Sequence, residues 1–236
     1  PEDKEWAFEG SPLVDAGSLY VAMRRSDIQP QVHVACYDAA TGRLRWRQFV
    51  CAGESPARGM LCETTHNLLT LHQGTVYYCT NAGALVALDA LSGRVKWAMR
   101  YPYYAFSTDV HDMSRQFGEG GGVVQYTRIR FWPHRPMFWY NQRPLLVGDD
   151  LYVTPVDSPF LFRVDRRNGR IVWAKHRGEG IKTRRTDGGP AYFLGPTRTG
   201  ELAVVYSFRE IPQNWAGPYE GGGVHLLDPK TGKTVW

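Results

Sequence analysis

Apolar residues fall in short runs that alternate with polar ones. "LYVAM" (Leu19–Met23), "VYYCT" (Val76–Thr80), "LYVTP" (Leu151–Pro155) and "LAVVY" (Leu202–Tyr206) are each followed by a second run. The second runs are "VHVACY" (Val32–Tyr37), "ALVALD" (Ala84–Asp89), "FLFRVD" (Phe160–Asp165) and "GVHLLD" (Gly223–Asp228). A period of two over stretches this short predicts strands, and no helix-length amphipathic stretch with caps is found. Before three of the first runs stand "PLV" (Pro12–Val14), "LTL" (Leu69–Leu71) and "PLL" (Pro144–Leu146), separated from them by turns such as "DAGS" and "HQGT". After the second runs the chain spells almost the same words: "DAATGRLRW" (Asp38–Trp46), "DALSGRVKW" (Asp89–Trp97), "DRRNGRIVW" (Asp165–Trp173) and "DPKTGKTVW" (Asp228–Trp236).

Each copy is a turn followed by a strand. The carboxylates of Asp38, Asp89, Asp165 and Asp228 can accept backbone N–H groups two or three residues on, and Gly42, Gly93, Gly169 and Gly232 supply the positive φ of a tight turn. Counting in twos from the glycine puts Trp46, Trp97, Trp173 and Trp236 on one strand face, pointing inward. The unit is a four-stranded antiparallel meander, A to D, and repetition of such units is the sequence mark of a β-propeller. The fold class is all-β, with blades at about 11–50, 67–100, 143–176 and 190–236 and a long insert at 101–142.

The repeat Asp-x-x-Thr/Ser/Asn-Gly-Arg/Lys-x-x-Trp, with Ala87 before Asp89 in its fullest copy, resembles the tryptophan-docking repeat of quinoprotein dehydrogenases and the wider PQQ-like propeller family. The resemblance implies that each Trp packs between neighbouring blades and that the four repeats form part of a ring of roughly seven or eight blades. It also implies an extracytoplasmic setting, in the periplasm or cell envelope. The first residue is not Met and "PEDKEWAFEG" lacks a signal-peptide layout, which points to a processed or excised segment.

A chain that is 43% hydrophobic and 13% aromatic can bury a sizeable core, and no apolar run is long enough for a membrane-spanning helix. The net charge of +5 favours anionic partners without selecting one. In an antiparallel meander the A–B and C–D turns share one edge, and the B–C turns and interblade links share the other. The short turns fall on the first edge. The long segments, Arg24–Gln31, Cys51–His66, Tyr101–Gln142, about His176–Gly189 and Ser207–Gly223, fall on the second, where function is expected.

The longest insert contains "RIRFWPHRPMFWYNQR". Arg128, Arg130, Trp132, His134, Arg135, Trp139 and Tyr140 are the candidate partner-binding residues. Guanidinium groups interleaved with aromatic rings can stack on sugars or meet an anionic polymer, and the same aromatics can equally pack across the propeller mouth or at a protein interface. Nucleic acid is the least favoured partner.

Candidate chemistry mostly dissolves on inspection. "TGKT" (Thr231–Thr234) has Leu227 where a phosphate-binding loop requires Gly. "GEGGG" and "EGGGV" read as flexible loop ends. Asp109, His111 and Asp112 lack a second metal-ligand cluster. Cys51 and Cys62 bracket one interblade loop and can form a disulfide in an oxidising compartment, whereas Cys36 and Cys79 fall in strands as buried thiols. PQQ-dependent alcohol dehydrogenases typically have an adjacent Cys pair over the quinone and an acidic calcium set; this chain has no Cys-Cys. The leading expectation is therefore a noncatalytic binding or assembly platform, without cofactor, contacting a protein or envelope polymer through its long-loop face. The alternative is a fragment of a quinoprotein dehydrogenase, with PQQ and calcium, and the third reading is a carbohydrate-binding module.

Overall fold

The alternating runs pair in chain order into four antiparallel meanders. A computed structural model describes residues 6–25, 30–53, 68–103, 139, 142–176, 191–210 and 219–236. Blade 1 consists of β1 (Trp6–Asp15), β2 (Ser18–Arg25), β3 (Gln31–Asp38) and β4 (Leu44–Ala52). Blade 2 is β5 (Leu69–His72), β6 (Thr75–Cys79), β7 (Ala84–Asp89) and β8 (Val95–Arg100). Blade 3 is β9 (Leu145–Val147), β10 (Asp150–Val153), β11 (Phe160–Asp165) and β12 (Ile171–His176). Blade 4 is β13 (Tyr192–Pro196), β14 (Leu202–Glu210) and β15 (Tyr219–Leu227), with Thr234–Trp236 laid along β15 as a short fourth segment through Val235 N–H to Leu226 O and Leu226 N–H to Trp236 O. No helix occurs among the described residues.

The Asp turn forms as its spelling dictates. Asp38 Oδ1 accepts from Ala40 N (3.1 Å), Thr41 N (2.8 Å) and Thr41 Oγ1 (2.9 Å), and Asp89 Oδ1 accepts from Ser92 N (2.9 Å) and Ser92 Oγ (2.8 Å). In all four copies the glycine N–H bonds the Asp carbonyl, and the glycine φ lies between 69° and 74°. That left-handed value is strained for any residue with a Cβ.

The turn glycine has a second reason to be bare. The Trp46 indole lies on Gly93 and the Trp97 indole on Gly169, each so close that a Cβ there would stand 2.6 Å from the ring; the Trp173 indole lies on Gly232, where the distance would be 2.9 Å. Each Nε1 donates to the carbonyl that follows the turn Asp of the next blade: Trp46 to Ala90 O (3.1 Å), Trp97 to Arg166 O (2.9 Å) and Trp173 to Pro229 O (3.0 Å). A Tyr from strand B of the same blade tilts against each ring, with centroids 6.0 to 6.1 Å apart for Tyr20–Trp46, Tyr77–Trp97 and Tyr152–Trp173.

The core is accordingly divided among the blade junctions. Tyr20, Val34, Val76 and Leu88 close the first, Tyr77, Leu85, Leu151 and Phe162 the second, and Tyr152, Leu161, Phe193 and Val204 the third. Trp236 departs from the inward placement expected of it. It is 73% exposed and meets no docking turn among the described residues.

Two further sequence expectations are corrected. Strand A of blade 1 begins at Trp6, since a bulge between Glu9 and Leu13, with Gly10 at φ 70°, lets the ladder continue past Pro12. Ser207–Gly223 is not a loop throughout. Pairing of Val205–Glu210 with Tyr219–Val224 carries the hairpin outward, and "EGGGV" lies within β15 because the backbone ladder needs no side chains.

The docked and undocked tryptophans predict different costs. Trp97→Ala should destabilise the chain by about 3–5 kcal/mol, the cost of removing a packed large aromatic. Trp236→Ala should change it by less than about 1 kcal/mol. Urea unfolding of the two variants checks both, and equal losses would contradict the docking assignment.

Candidate functional site

The two edges of the blades use their polar groups differently. On the short-turn edge, Arg45 donates to Ser18 Oγ (2.7 Å) and Asp38 Oδ2 (2.6 Å), and Arg166 and Arg167 both reach Asp149. The Arg45 guanidinium and the turn hydroxyl of Thr41 hold the Asp38 carboxyl far below the usual carboxylate range. These side chains close turns.

The opposite edge carries the B–C turns and the interblade links. Here blades 2 and 3 are clipped by a buried polar cluster. Asp157, in the B–C turn of blade 3, accepts from Gly83 N (2.9 Å) and from Tyr101 Oη (2.9 Å) of blade 2. Asn81, at φ 52°, accepts Val156 N–H (3.0 Å), and Ser158 Oγ donates to Pro102 O (2.6 Å). A Cβ on Gly83 would stand 2.4 Å from the Tyr101-adjacent ring of Tyr103, so this turn too tolerates only glycine. Burial pushes the Cys79 thiol up to about 12 and raises Cys51 and Cys36 as well, so all three are neutral thiols and poor nucleophiles.

Among the sequence candidates, Trp139 is the one described, and it is a correction. It is 0% exposed, forms a parallel bridge with Ala191 and packs with Tyr152, Leu161 and Phe193 between blades 3 and 4. It is therefore removed from the partner-facing set, because an indole enclosed by two blades has no surface to offer. Gln142 secures the same strap by exchanging two bonds with the Phe193 backbone, each 3.1 Å. Arg128, Arg130, Trp132, His134, Arg135 and Tyr140 lie outside the described residues, as do Asp109, His111 and Asp112, "GEGGG" and Cys62. Cys51 is a free, half-buried thiol, and the Cys51–Cys62 pairing lies outside the described residues.

Blade 1 adds a feature that the sequence reading passed over. Its strands are 10, 8, 8 and 9 residues long, against 4, 5, 6 and 6 in blade 2, and the excess projects at the long-loop edge. On the side facing blade 2, Arg24 Nε bonds Glu9 Oε1 at 2.6 Å. On the other side Trp6 meets His33 edge to face (4.8 Å), His33 meets Phe49 (5.4 Å), and Arg47 lies 4.1 Å over the Trp6 ring. The alternation of Trp6 and Phe8 ahead of Pro12 was the available signal. Burial, then the nearby Arg47 and Arg25 charges, lower His33 to about 4, so its ring is neutral at physiological pH.

For dehydrogenases the resemblance implies a quinone under an adjacent Cys pair and a calcium ion held by an acidic set. No Cys-Cys pair exists in the chain. Asp157 is committed to Gly83 and Tyr101, and no three His, Cys, Asp or Glu side chains converge as a ligand set among the described residues. No helix among them is long and apolar enough to cross a membrane.

Two outcomes follow. Trp139→Ala should cost about 3–5 kcal/mol in urea unfolding, as for a core aromatic; a negligible loss would return it to the contact surface. For His33, the folded value lies below the ordinary 6.5, so the folded state binds fewer protons. Its stabilising contribution is present above about pH 6.5 and is lost as pH falls towards 4. Between pH 7 and 4.5 the wild type should therefore lose more stability than His33→Gln; parallel curves would show that the ring titrates normally.

The chain aligns with curated alcohol dehydrogenases over part of its length. It is 33% identical over 91 residues to the dehydrogenase subunit of alcohol dehydrogenase (quinone) from Gluconacetobacter polyoxogenes, covering 39% of this chain and 12% of that protein. It is 31% identical over 98 residues to quinohemoprotein alcohol dehydrogenase ADH IIB from Pseudomonas putida, covering 42% and 13%. Among solved structures, BamB from Moraxella catarrhalis matches with TM-score 0.47 and 16% identity over 96% of this chain and 47% of that one. Quinohemoprotein alcohol dehydrogenase ADHIIG from Pseudomonas putida HK5 matches with TM-score 0.49 and 12% identity over 100% and 47%. The chain thus spans a small part of its curated relatives and about half of these solved chains. The family model described as outer membrane protein assembly factor BamB matches residues 3–112 and 32–236, nearly the whole chain, which therefore belongs to this PQQ-like β-propeller repeat family.

Proposed function

We propose that the chain is a segment of a noncatalytic binding or assembly platform that contacts a protein partner through its long-loop edge. The observation that carries this reading is the extent of the family match. A model described as an assembly factor accounts for residues 3–112 and 32–236, whereas the two curated dehydrogenase sequences cited above align over 39% and 42% of the chain. The physical character of the described edge supports it. Asp157, Asn81 and Ser158 hold two blades together, and the buried thiols are neutral, so these groups serve rigidity. A rigid scaffold with long segments gathered on one edge suits recognition. The same reading places the four blades in a ring of roughly seven or eight, in an extracytoplasmic compartment. An envelope glycan is a further possible ligand for the Arg and aromatic insert.

The 33% identity to a quinone-dependent alcohol dehydrogenase favours a second reading, a segment of a dehydrogenase whose PQQ and calcium are held elsewhere in a longer chain. The two are separated on the intact parent protein. The platform reading expects stoichiometric envelope or complex subunits on mild purification and no dye-linked alcohol oxidation after addition of PQQ and calcium. It also expects Ala at Arg128, Arg130, Trp132 and Tyr140 together to lower partner recovery at least about tenfold while the thermal midpoint moves only a few degrees. Restored alcohol oxidation, or bound quinone, would overturn it.

A further inference from the structure

The junction of blades 1 and 2 encloses a guanidinium most of whose hydrogen-bonding capacity is unused. Arg24 lies in a row that crosses blade 1, paired with Ala7 on β1 and with Val32 on β3, and Val32 in turn pairs with Cys51 on β4. Cross-strand partners share a face, and Val32 and Cys51 pack into the core between the two blades, so Arg24 points the same way. Glu9 pairs with Ala22, two positions along β2, and lies on that face as well.

Arg24 is 5% exposed, and its Nε donates to Glu9 Oε1 at 2.6 Å. Its Nη1 and Nη2 are buried and have no hydrogen-bond partner among the described residues. The N–H bonds of both nitrogens thus end inside the junction without an acceptor, although enclosed donors are ordinarily satisfied. Tyr78 enters the same core cluster from blade 2 and is 1% exposed. Burial, then Glu9, raises its hydroxyl while the Arg24 charge lowers it, so the phenol stays protonated close to both charges and remains a donor. Cys51, at the end of the row, is raised by burial and lowered by its bond to Thr80 and by Arg24, and as a neutral thiol it adds no negative charge.

We propose that the two Nη groups of Arg24, together with the Tyr78 hydroxyl, form a binding site for one small carboxylate held between blades 1 and 2. The fork of a guanidinium matches the two oxygens of a planar carboxylate, so a single ligand accepts from both nitrogens. Chloride offers no second atom to the fork, and a tetrahedral oxyanion brings more oxygens than these donors satisfy. Glu9 already meets the Nε side, but its side chain is 19% exposed and shares its charge with water, whereas the guanidinium is enclosed. The ligand therefore meets the cation at contact and meets Glu9 only across it. This site goes beyond the platform reading and is independent of what the long-loop edge recognises.

The test titrates sodium acetate into the intact parent protein by calorimetry and follows the thermal midpoint, with sodium chloride at equal ionic strength as the reference. Acetate is expected to bind and to raise the midpoint by a few degrees at saturation, and chloride to do neither. Arg24→Lys keeps the charge but loses the fork, and should weaken acetate at least about tenfold. Tyr78→Phe keeps the ring and should weaken it several-fold. Glu9→Gln keeps an acceptor for Nε and removes a competing negative charge, so it should tighten acetate several-fold, a response that a purely structural role for these residues would not produce. If Arg24→Lys fails to fold, the other two variants decide. No acetate binding by the wild type, a chloride effect equal to that of acetate, or unchanged affinity in both Tyr78→Phe and Glu9→Gln overturns the proposal and leaves internal water as the partner of the fork.

Discussion

The fold depends on an indole lying flat on a glycine. That contact joins two blades at one point in space, and it requires the same residue to be bare for two independent reasons. The glycine must adopt a φ near 70°, and its Cβ position is occupied by the ring of the preceding blade. The indole N–H is satisfied by a carbonyl of the same turn, so the polar atom of a large apolar side chain is brought into the junction with its hydrogen bond made. A turn that would otherwise be an ordinary C–D connection thereby sets the spacing between blades.

Fixing the blades at one edge frees the other. Because each junction is secured by its docking tryptophan and the apolar faces behind it, the B–C turns and interblade links can differ in length without disturbing the stack. Blades 2 and 3 use that freedom for the clip around Asp157, Asn81 and Tyr101. The strap bearing Trp139 fills the junction of blades 3 and 4. Blade 1 uses it to lengthen its sheet into a plate of Trp6, His33, Phe49 and Arg47. Chemical character follows from these choices. The buried polar groups of blades 2 and 3 bond across the blades, and the aromatic groups at the edge of blade 1 are accompanied by guanidinium groups.

A scaffold of repeated meanders supplies rigidity, and the family match spans nearly the whole chain. Under the proposed platform reading, recognition belongs to the segments that vary from blade to blade.

The sequence by itself determined the meanders, the turns and the docking residues. Each of these depends on local rules: alternation selects strand faces, an Asp followed by Gly selects the turn, and the four spellings repeat at the point where each blade meets the next. It did not determine whether a given aromatic is buried. Trp139 stands in a run of interleaved Arg and aromatic residues and is enclosed because Ala191 and Phe193, far along the chain, come to lie beside it. Trp236 is spelled like Trp97 and is exposed, because docking requires a second turn that its own segment does not contain. Nor did composition foretell that "EGGGV" continues a ladder, since its partner strand lies on the other side of a hairpin. Burial and pairing are properties of two segments at once, and only the tertiary structure decides which two meet.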